Sequence, residues 1–204
     1  MHKEILSTNQ AQLLSLVAQF KKEFYLVGGT AVALHIGHRR SMDYDLFKFS
    51  SIRPKNIINK IVQNKFSYTV TRRVTEQLNV SINNVKFTFY QYPFEIKANE
   101  TFDNIIKLPD LITLAAIKAY ALGRRSKWKD YVDLYFIIKD HYTIKDISEK
   151  AIEIFKDLFS EKLFRAQLSY FDDIDYSEPI DCLVSSVPEE EIKKFLIDKA
   201  VELF

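Results

Sequence analysis

The sequence lacks the features that mark several classes of protein. It has one cysteine, Cys182, in 204 residues, so no internal disulfide can form. Proteins with so little cysteine are typical of a reducing compartment. The first ten residues lack the continuous apolar core of a signal peptide, and no apolar run approaches the length of a membrane span. These absences predict a soluble, cytoplasmic protein with no membrane partner.

An excess of charge is absent as well. The chain has 29 Lys and Arg against 27 Asp and Glu, a formal net charge of +2. This balance excludes a protein that coats nucleic acid with a surface that is basic throughout. Any RNA contact must therefore be local. Glycine and proline are scarce, at four and five residues, and no internal repeat or low-complexity segment is present. With 47% apolar residues, the chain can bury the hydrophobic core of one domain or of two small domains.

Two of the four glycines stand together at the end of an apolar run. Phe24–Val27 predicts a short buried strand, and Gly28 and Gly29 allow a sharp turn with exposed backbone N–H groups. The next segment, Thr30–Ile36, predicts a helix that begins at this turn. Such a helix N-terminus favours phosphate. The stretch predicts a phosphate-binding turn, and the alternative is an ordinary tight turn.

Two carboxylates, Asp43 and Asp45, follow this helix one residue apart. On a strand, positions i and i+2 point to the same face, so the two side chains are expected to project together. Carboxylates this close repel by roughly 1–3 kcal/mol, and a cation between them removes the repulsion. Mg²⁺ suits this role, since it is held by one or two carboxylates, water and substrate phosphates. Tyr44 points to the opposite face and is predicted to be core.

These residues resemble the AbiEii/AbiGii toxin group of nucleotidyltransferases, in the polymerase-beta-like superfamily. Its signature, a Gly-Gly or Gly-Ser turn followed by a paired acid, matches Gly28–Phe47. Ala115–Tyr120 and Lys129–Tyr135 are similar to the family's helical lysine and its Lys-Asp-x-x-Asp-Leu segment. Val85–Pro93 is similar to the third core strand, so the resemblance covers roughly Phe24 to Ile138.

The resemblance implies a magnesium-dependent transfer of a nucleoside monophosphate from a nucleoside triphosphate (NTP) to tRNA or another hydroxyl acceptor. It also implies the toxin of a bacterial toxin–antitoxin or abortive-infection system, with an antitoxin as partner. The metal ligands would be Asp43 and Asp45. Contacts to the nucleotide are expected from the following residues: Gly28, Gly29, Thr30, Arg40 and Ser41. The alternative for Arg40 is that it balances the two acids.

The superfamily's third carboxylate, which helps to activate the attacking hydroxyl, has no counterpart here. Val85–Gln91 contains no acid, and Lys86 and Thr88 stand where one is expected. By resemblance, Asp130 or Asp133 serves instead, with Lys118 contacting phosphate. The alternative for Lys118 is a stem that covers the core while the ammonium reaches water. Asp130 and Asp133, on one helix face, could equally be solvated.

One dense basic patch offers a local RNA-binding site. Four cations and the sole tryptophan could contact an RNA backbone and stack a base. The patch comprises Arg124, Arg125, Lys127, Trp128 and Lys129. The alternative is an exposed interhelical loop in which the tryptophan folds back onto the core.

The predicted fold is α/β (α+β), a nucleotidyltransferase fold with a small mixed sheet flanked by helices, followed by a C-terminal helical lobe. The nucleotidyltransferase α/β core is predicted to occupy residues 1–107, and the helical domain at 108–204 would complete the active-site cleft. Strands are predicted at 24–27, 43–49, 66–74, 77–82 and 85–91, and Phe171–Asp181 is predicted to be a solvated loop. Two alternative functions remain: a small-molecule (antibiotic-type) nucleotidyltransferase and a non-catalytic nucleotide-binding module.

Overall fold

The computed structural model describes residues 1–184 and 187–202. The chain divides into two compact units, Met1–Asp110 (unit 1) and Leu111–Phe204 (unit 2). Unit 1 holds a mixed sheet with helices and unit 2 is helical, so the predicted α/β class is confirmed. The division falls after Asp110, whereas the sequence predicted a boundary at Lys107.

Seven strands form a single sheet in unit 1. They are β1 (Tyr25–Val27), β2 (Tyr44–Lys48), β3 (Thr69–Arg73), β4 (Gln77–Ile82), β5 (Val85–Gln91), β6 (Glu100–Phe102) and β7 (Ile106–Leu108). The order is β3-β4-β5-β2-β1-β7-β6, with β2–β5 and β1–β7 parallel and the other pairs antiparallel. Strands β6 and β7 were not predicted, because three residues each are too few to show an alternating pattern.

Unit 1 also contains the helices α1 (Thr8–Gln12), α2 (Leu14–Ala18), α3 (Gly28–Ile36) and α4 (Pro54–Gln63). Helices α1 and α2 meet at Leu13, which ends the first and precedes the second. Phe20 packs on Phe89 with ring centroids 4.8 Å apart. The buried Tyr44 hydroxyl donates to the Gln10 carbonyl at 3.0 Å, which places Tyr44 on the core face as predicted.

Unit 2 contains α5 (Leu111–Leu122), α6 (Trp128–Asp140), α7 (Ile144–Phe155), α8 (Glu161–Leu168) and α9 (Glu189–Val201). Thr143 begins α7 with a capping box, in which its side chain and that of Asp146 each accept a backbone N–H of the other. The acidic segment at 171–181 is irregular but tethered, since Glu178 pairs with Lys127 and Lys129. Within the described residues, no helix is both long and apolar enough to cross a bilayer.

Candidate active site

Gly28 lies where β1 ends, in close contact with Asp45. The register pairs Val27 with Asp45 across the antiparallel β1–β2 pair. Gly28 has a φ of +72°, and a Cβ added there would lie 2.1 Å from Asp45 Oδ2. Both the backbone conformation and the space therefore require glycine. This approach brings the carboxylate of Asp45 against the start of α3.

Gly29 and Thr30 pack against the segment that carries Asp43. A Cβ on Gly29 would lie 2.7 Å from Arg39 Nη2 and 2.9 Å from Ser41 Oγ. The Thr30 hydroxyl, which is buried, contacts Ser41 Oγ at 3.1 Å and donates to the backbone carbonyl of Asp43. The glycine turn and the acidic segment are thus packed directly on each other. Asp43 immediately precedes β2, so only Asp45 lies within the strand.

The two arginines of this segment differ in exposure. Arg39 is buried, with 3% of its surface exposed, and its Nη1 donates to the Arg40 carbonyl at 2.8 Å. Arg40 is partly exposed. The Arg39 guanidinium folds back over Gly29, which the sequence pattern does not show.

The parallel neighbour of β2 places Thr88 directly beside Asp45. Lys86 is exposed two residues before it, opposite Ser81 of β4. The register thus identifies Thr88, rather than Lys86, as the residue nearest to Asp45 on β5. No described residue of β5 is acidic, so this strand supplies no third carboxylate.

The described residues include no group of three or more His, Cys, Asp or Glu side chains able to hold a metal by themselves. Asp43 and Asp45, one residue apart in the chain, each offer the hard oxygen donors of a carboxylate. Mg²⁺ is commonly bound by one or two carboxylates, with water and substrate phosphates completing the shell. The residues present therefore fit magnesium.

In unit 2, Lys118 of α5 forms a buried ion triad with two carboxylates of α6. Its Nζ lies 2.5 Å from Asp130 Oδ1 and 2.5 Å from Asp133 Oδ2, and both aspartates are fully buried. Arg125 Nε donates to Asp130 Oδ2 at 3.1 Å. The two solvated alternatives considered for these residues are wrong, because the Lys118 side chain is only 4% exposed.

Charges within this cluster balance, and they set the ionisation of Asp130. Burial by itself would raise the pKa of Asp130, but attraction to Lys118 and Arg125 outweighs it. The pKa of Asp130 lies below its ordinary value as a result. One lysine and one arginine face two carboxylates, so the group as a whole is neutral.

Several side chains of the basic patch predicted to bind RNA make contacts within the protein. Trp128 is 9% exposed and lies among Tyr131 and Tyr176, with ring centroids 6.1 and 5.4 Å away. Glu178 pairs with both Lys127 and Lys129. The Arg124 guanidinium lies 3.5 Å from the centre of the Tyr120 ring. The folded-back tryptophan was the alternative, and these contacts agree with it.

Comparison with known proteins identifies the family. The family model described as nucleotidyl transferase AbiEii toxin, type IV TA system, matches residues 12–202. An uncharacterized protein of Aquifex aeolicus is 27% identical over 159 residues, which are 74% of this chain and 75% of that protein.

Two solved structures share the fold at low identity. MenT4, a nucleotidyltransferase toxin from Mycobacterium tuberculosis, superposes with a TM-score of 0.62 at 14% identity, covering 94% of this chain and 80% of that one. JHP933 from Helicobacter pylori superposes with a TM-score of 0.59 at 15% identity, covering 96% and 91%. Since the family model spans nearly the whole sequence, this chain belongs to the AbiEii nucleotidyl transferase toxin family and is a toxin-type nucleotidyltransferase.

Proposed function

We propose that the protein transfers a nucleoside monophosphate from an NTP to a hydroxyl of an RNA acceptor, such as tRNA, in the cytoplasm of a bacterium. The observation that carries the proposal is the approach of Asp45 to Gly28, where an added Cβ would lie 2.1 Å from the carboxylate. It places a carboxylate beside the first turn of α3, where a triphosphate and a cation can share one site.

Asp43 and Asp45 would hold magnesium, which when bound neutralises charge developing on the transferred phosphoryl group. The Thr30 hydroxyl already donates to the Asp43 carbonyl. The donors left at this turn are the backbone N–H groups of the first turn of α3, which have no partner within the helix. We assign the distal phosphates to the N–H groups of residues 28–30, with Arg40 and Ser41 beside them.

Lys118, Asp130 and Asp133 enter the proposal through the family resemblance. A phosphate that reached Lys118 would compete with two carboxylates that lie 2.5 Å from its Nζ. Lys118→Arg keeps the positive charge of the triad. We expect this variant to remain folded by circular dichroism while its transfer rate falls. An unchanged transfer rate would show that Lys118 takes no part in the reaction.

The decisive experiment incubates the protein with each labelled NTP, Mg²⁺ and total tRNA. The double variant Asp43→Asn plus Asp45→Asn should lose roughly 100-fold or more of the incorporation, because the charges that hold the cation are gone. Circular dichroism should show that the double variant remains folded. Asp172→Asn, on an exposed residue of unit 2, is the matched control. Incorporation by the double variant at the control rate would refute the mechanism.

One observation favours a second candidate function. Thr88, not an acid, stands beside Asp45 on β5, which suits a module that binds a nucleotide without transferring it. That candidate predicts saturable NTP binding with no pyrophosphate release. Growth arrest on induced expression, relieved by the product of a neighbouring gene, would instead support the toxin and an antitoxin partner.

A further inference from the structure

A row of polar side chains crosses unit 1 from Asp45 to the edge of the sheet. Strands β2, β5, β4 and β3 are successive neighbours. Their registers place Asp45 beside Thr88, Thr88 beside Asn79, and Asn79 beside Arg72. We name these four residues the polar row. They share one face of the sheet, because directly paired residues point to the same side.

The opposite face of the same strands is the core. The adjacent register pairs Leu46, Phe89 and Leu78, all fully buried. Because side chains alternate between faces, the polar row lies on the side opposite that core. Thr88 and Asn79 are themselves buried, each with 8% of its surface exposed, whereas Asp45 is partly exposed. Arg72 is exposed, and so is every other residue of the edge strand β3.

Aromatic rings flank the polar row on one side. Phe47 and Tyr90 stand two residues beyond Asp45 and Thr88, on the same face, with ring centroids 5.1 Å apart in an edge-to-face arrangement. Both rings are partly exposed. Gln77, the partner of Tyr90 on β4, donates to Asn79 Oδ1 at 2.9 Å. Two partly exposed aromatic rings therefore adjoin the polar row.

The charge of this face suits a polyanion. Among the residues of β2, β3, β4 and β5, Asp45 is the single carboxylate. Arg72 at the edge and Lys86, opposite Ser81, are exposed cations on the face of the polar row. Three strand spacings of about 4.8 Å separate Asp45 from Arg72, roughly 14 Å in all. A ligand that contacts both must be longer than one nucleoside.

We propose that this face binds a single-stranded RNA acceptor. A base near the reacting end stacks on the Tyr90 ring beside Phe47, and the backbone passes over the buried Thr88 and Asn79 to reach the exposed Arg72 and Lys86. Aromatic stacking combined with cations along the backbone is the usual way in which proteins hold single strands. The inference rests on the proposed function, because it takes Asp45 as the point where the RNA end reacts.

The test measures binding and transfer separately. Binding of a 12-nucleotide RNA carrying a 5′ fluorophore is followed by anisotropy without NTP, over a range of salt concentrations. Arg72→Ala should weaken binding about 5-fold at low salt and reduce the slope of log K against log salt by about 0.7. Arg73→Ala is the matched control, because Arg73 pairs with Leu78 and lies on the other face. We expect it to bind within 2-fold of the wild type.

Tyr90→Ala should weaken binding about 10-fold, and Tyr90→Phe should restore it, since the ring is sufficient for stacking.

Equal effects of Arg72→Ala and Arg73→Ala, or no RNA binding by the wild type, would overturn the inference. The inference would also be overturned if Arg72→Ala weakened the binding of a protein partner and left RNA binding unchanged. Transfer with an unchanged acceptor KM in Arg72→Ala would refute this surface and leave the proposed function standing. RNA binding that depends on Arg72 without any transfer would support the surface and refute the function.

Discussion

Gly28 is the residue on which the geometry of the candidate site depends most directly. Its φ of +72° lies in the left-handed region, and the missing side chain leaves the space that Asp45 Oδ2 occupies. An alanine there would be destabilised by the unfavourable backbone conformation, and its Cβ would displace the carboxylate. The backbone conformation at Gly28 and the position of the Asp45 carboxylate are therefore linked.

We predict that Gly28→Ala lowers the free energy of unfolding by about 2 kcal/mol and abolishes nucleotide transfer. Gly123→Ala is the control, because a Cβ added at Gly123 meets no atom within 4 Å. It should leave both quantities near the wild-type values. Urea denaturation and the labelled-NTP assay measure them. A Gly28→Ala protein with wild-type stability and activity would contradict the close approach of Asp45.

At the scale of elements, helices α5 and α6 are joined by a buried ion cluster. Lys118 comes from α5, and Asp130 and Asp133 come from α6. Removing one partner of a buried ion pair leaves charge without compensation, which costs far more than the intact pair contributes. The charges of α5 and α6 in this cluster therefore depend on each other for compensation.

We predict that Lys118→Met destabilises the protein by about 3–5 kcal/mol at neutral pH. The pKa of Asp130 is lowered in the folded state, so its contribution is present above its ordinary value of 3.8 and is lost as the pH falls further. The difference between variant and wild type should thus shrink below about pH 4. Denaturant titrations at pH 7, 5 and 3.5 measure it.

Lys150→Met on α7 is the control for this experiment. Lys150 pairs with Glu153 at 2.6 Å on a partly exposed helix face. Such surface pairs contribute about 0–1 kcal/mol. A loss of stability in Lys118→Met that is no greater than in Lys150→Met, or that does not change with pH, would show that the cluster is not ionised as described.

At the scale of the whole molecule, each unit has its own buried core. Unit 1 buries the inner face of its sheet, including Leu46 and Phe89, and unit 2 buries helix faces that include Leu134 and Ile147. Local opening generally follows such contiguous units. The effect of a substitution should therefore be greatest within the unit that contains it.

We predict that Lys118→Met raises amide hydrogen exchange first in α5 and α6, and that Gly28→Ala raises it first in β1, β2 and α3. Exchange detected by mass spectrometry on peptides that cover both units measures this. Loss of protection to the same degree and at the same rate in both units, for either variant, would contradict separate cores.

The sequence by itself determined the local features of this protein. The register of β4 and β5 follows from their alternation and from Asn83 and Asn84, whose positive φ values of 50° and 62° suit a two-residue turn. The Gly-Gly turn and the two acids were recognisable because their residue types and spacing have few other uses. Local sequence specifies such elements because their geometry depends on neighbours along the chain.

Only the tertiary structure decided which side chains from distant segments meet. It placed the ammonium of Lys118, for which the sequence predicted a phosphate contact, at the centre of a buried triad, and it covered Trp128 with Tyr176. It also aligned Asp45, Thr88 and Asn79 across three strands. These contacts depend on strand order, register and helix packing, which arise from the burial of the whole core rather than from any local pattern.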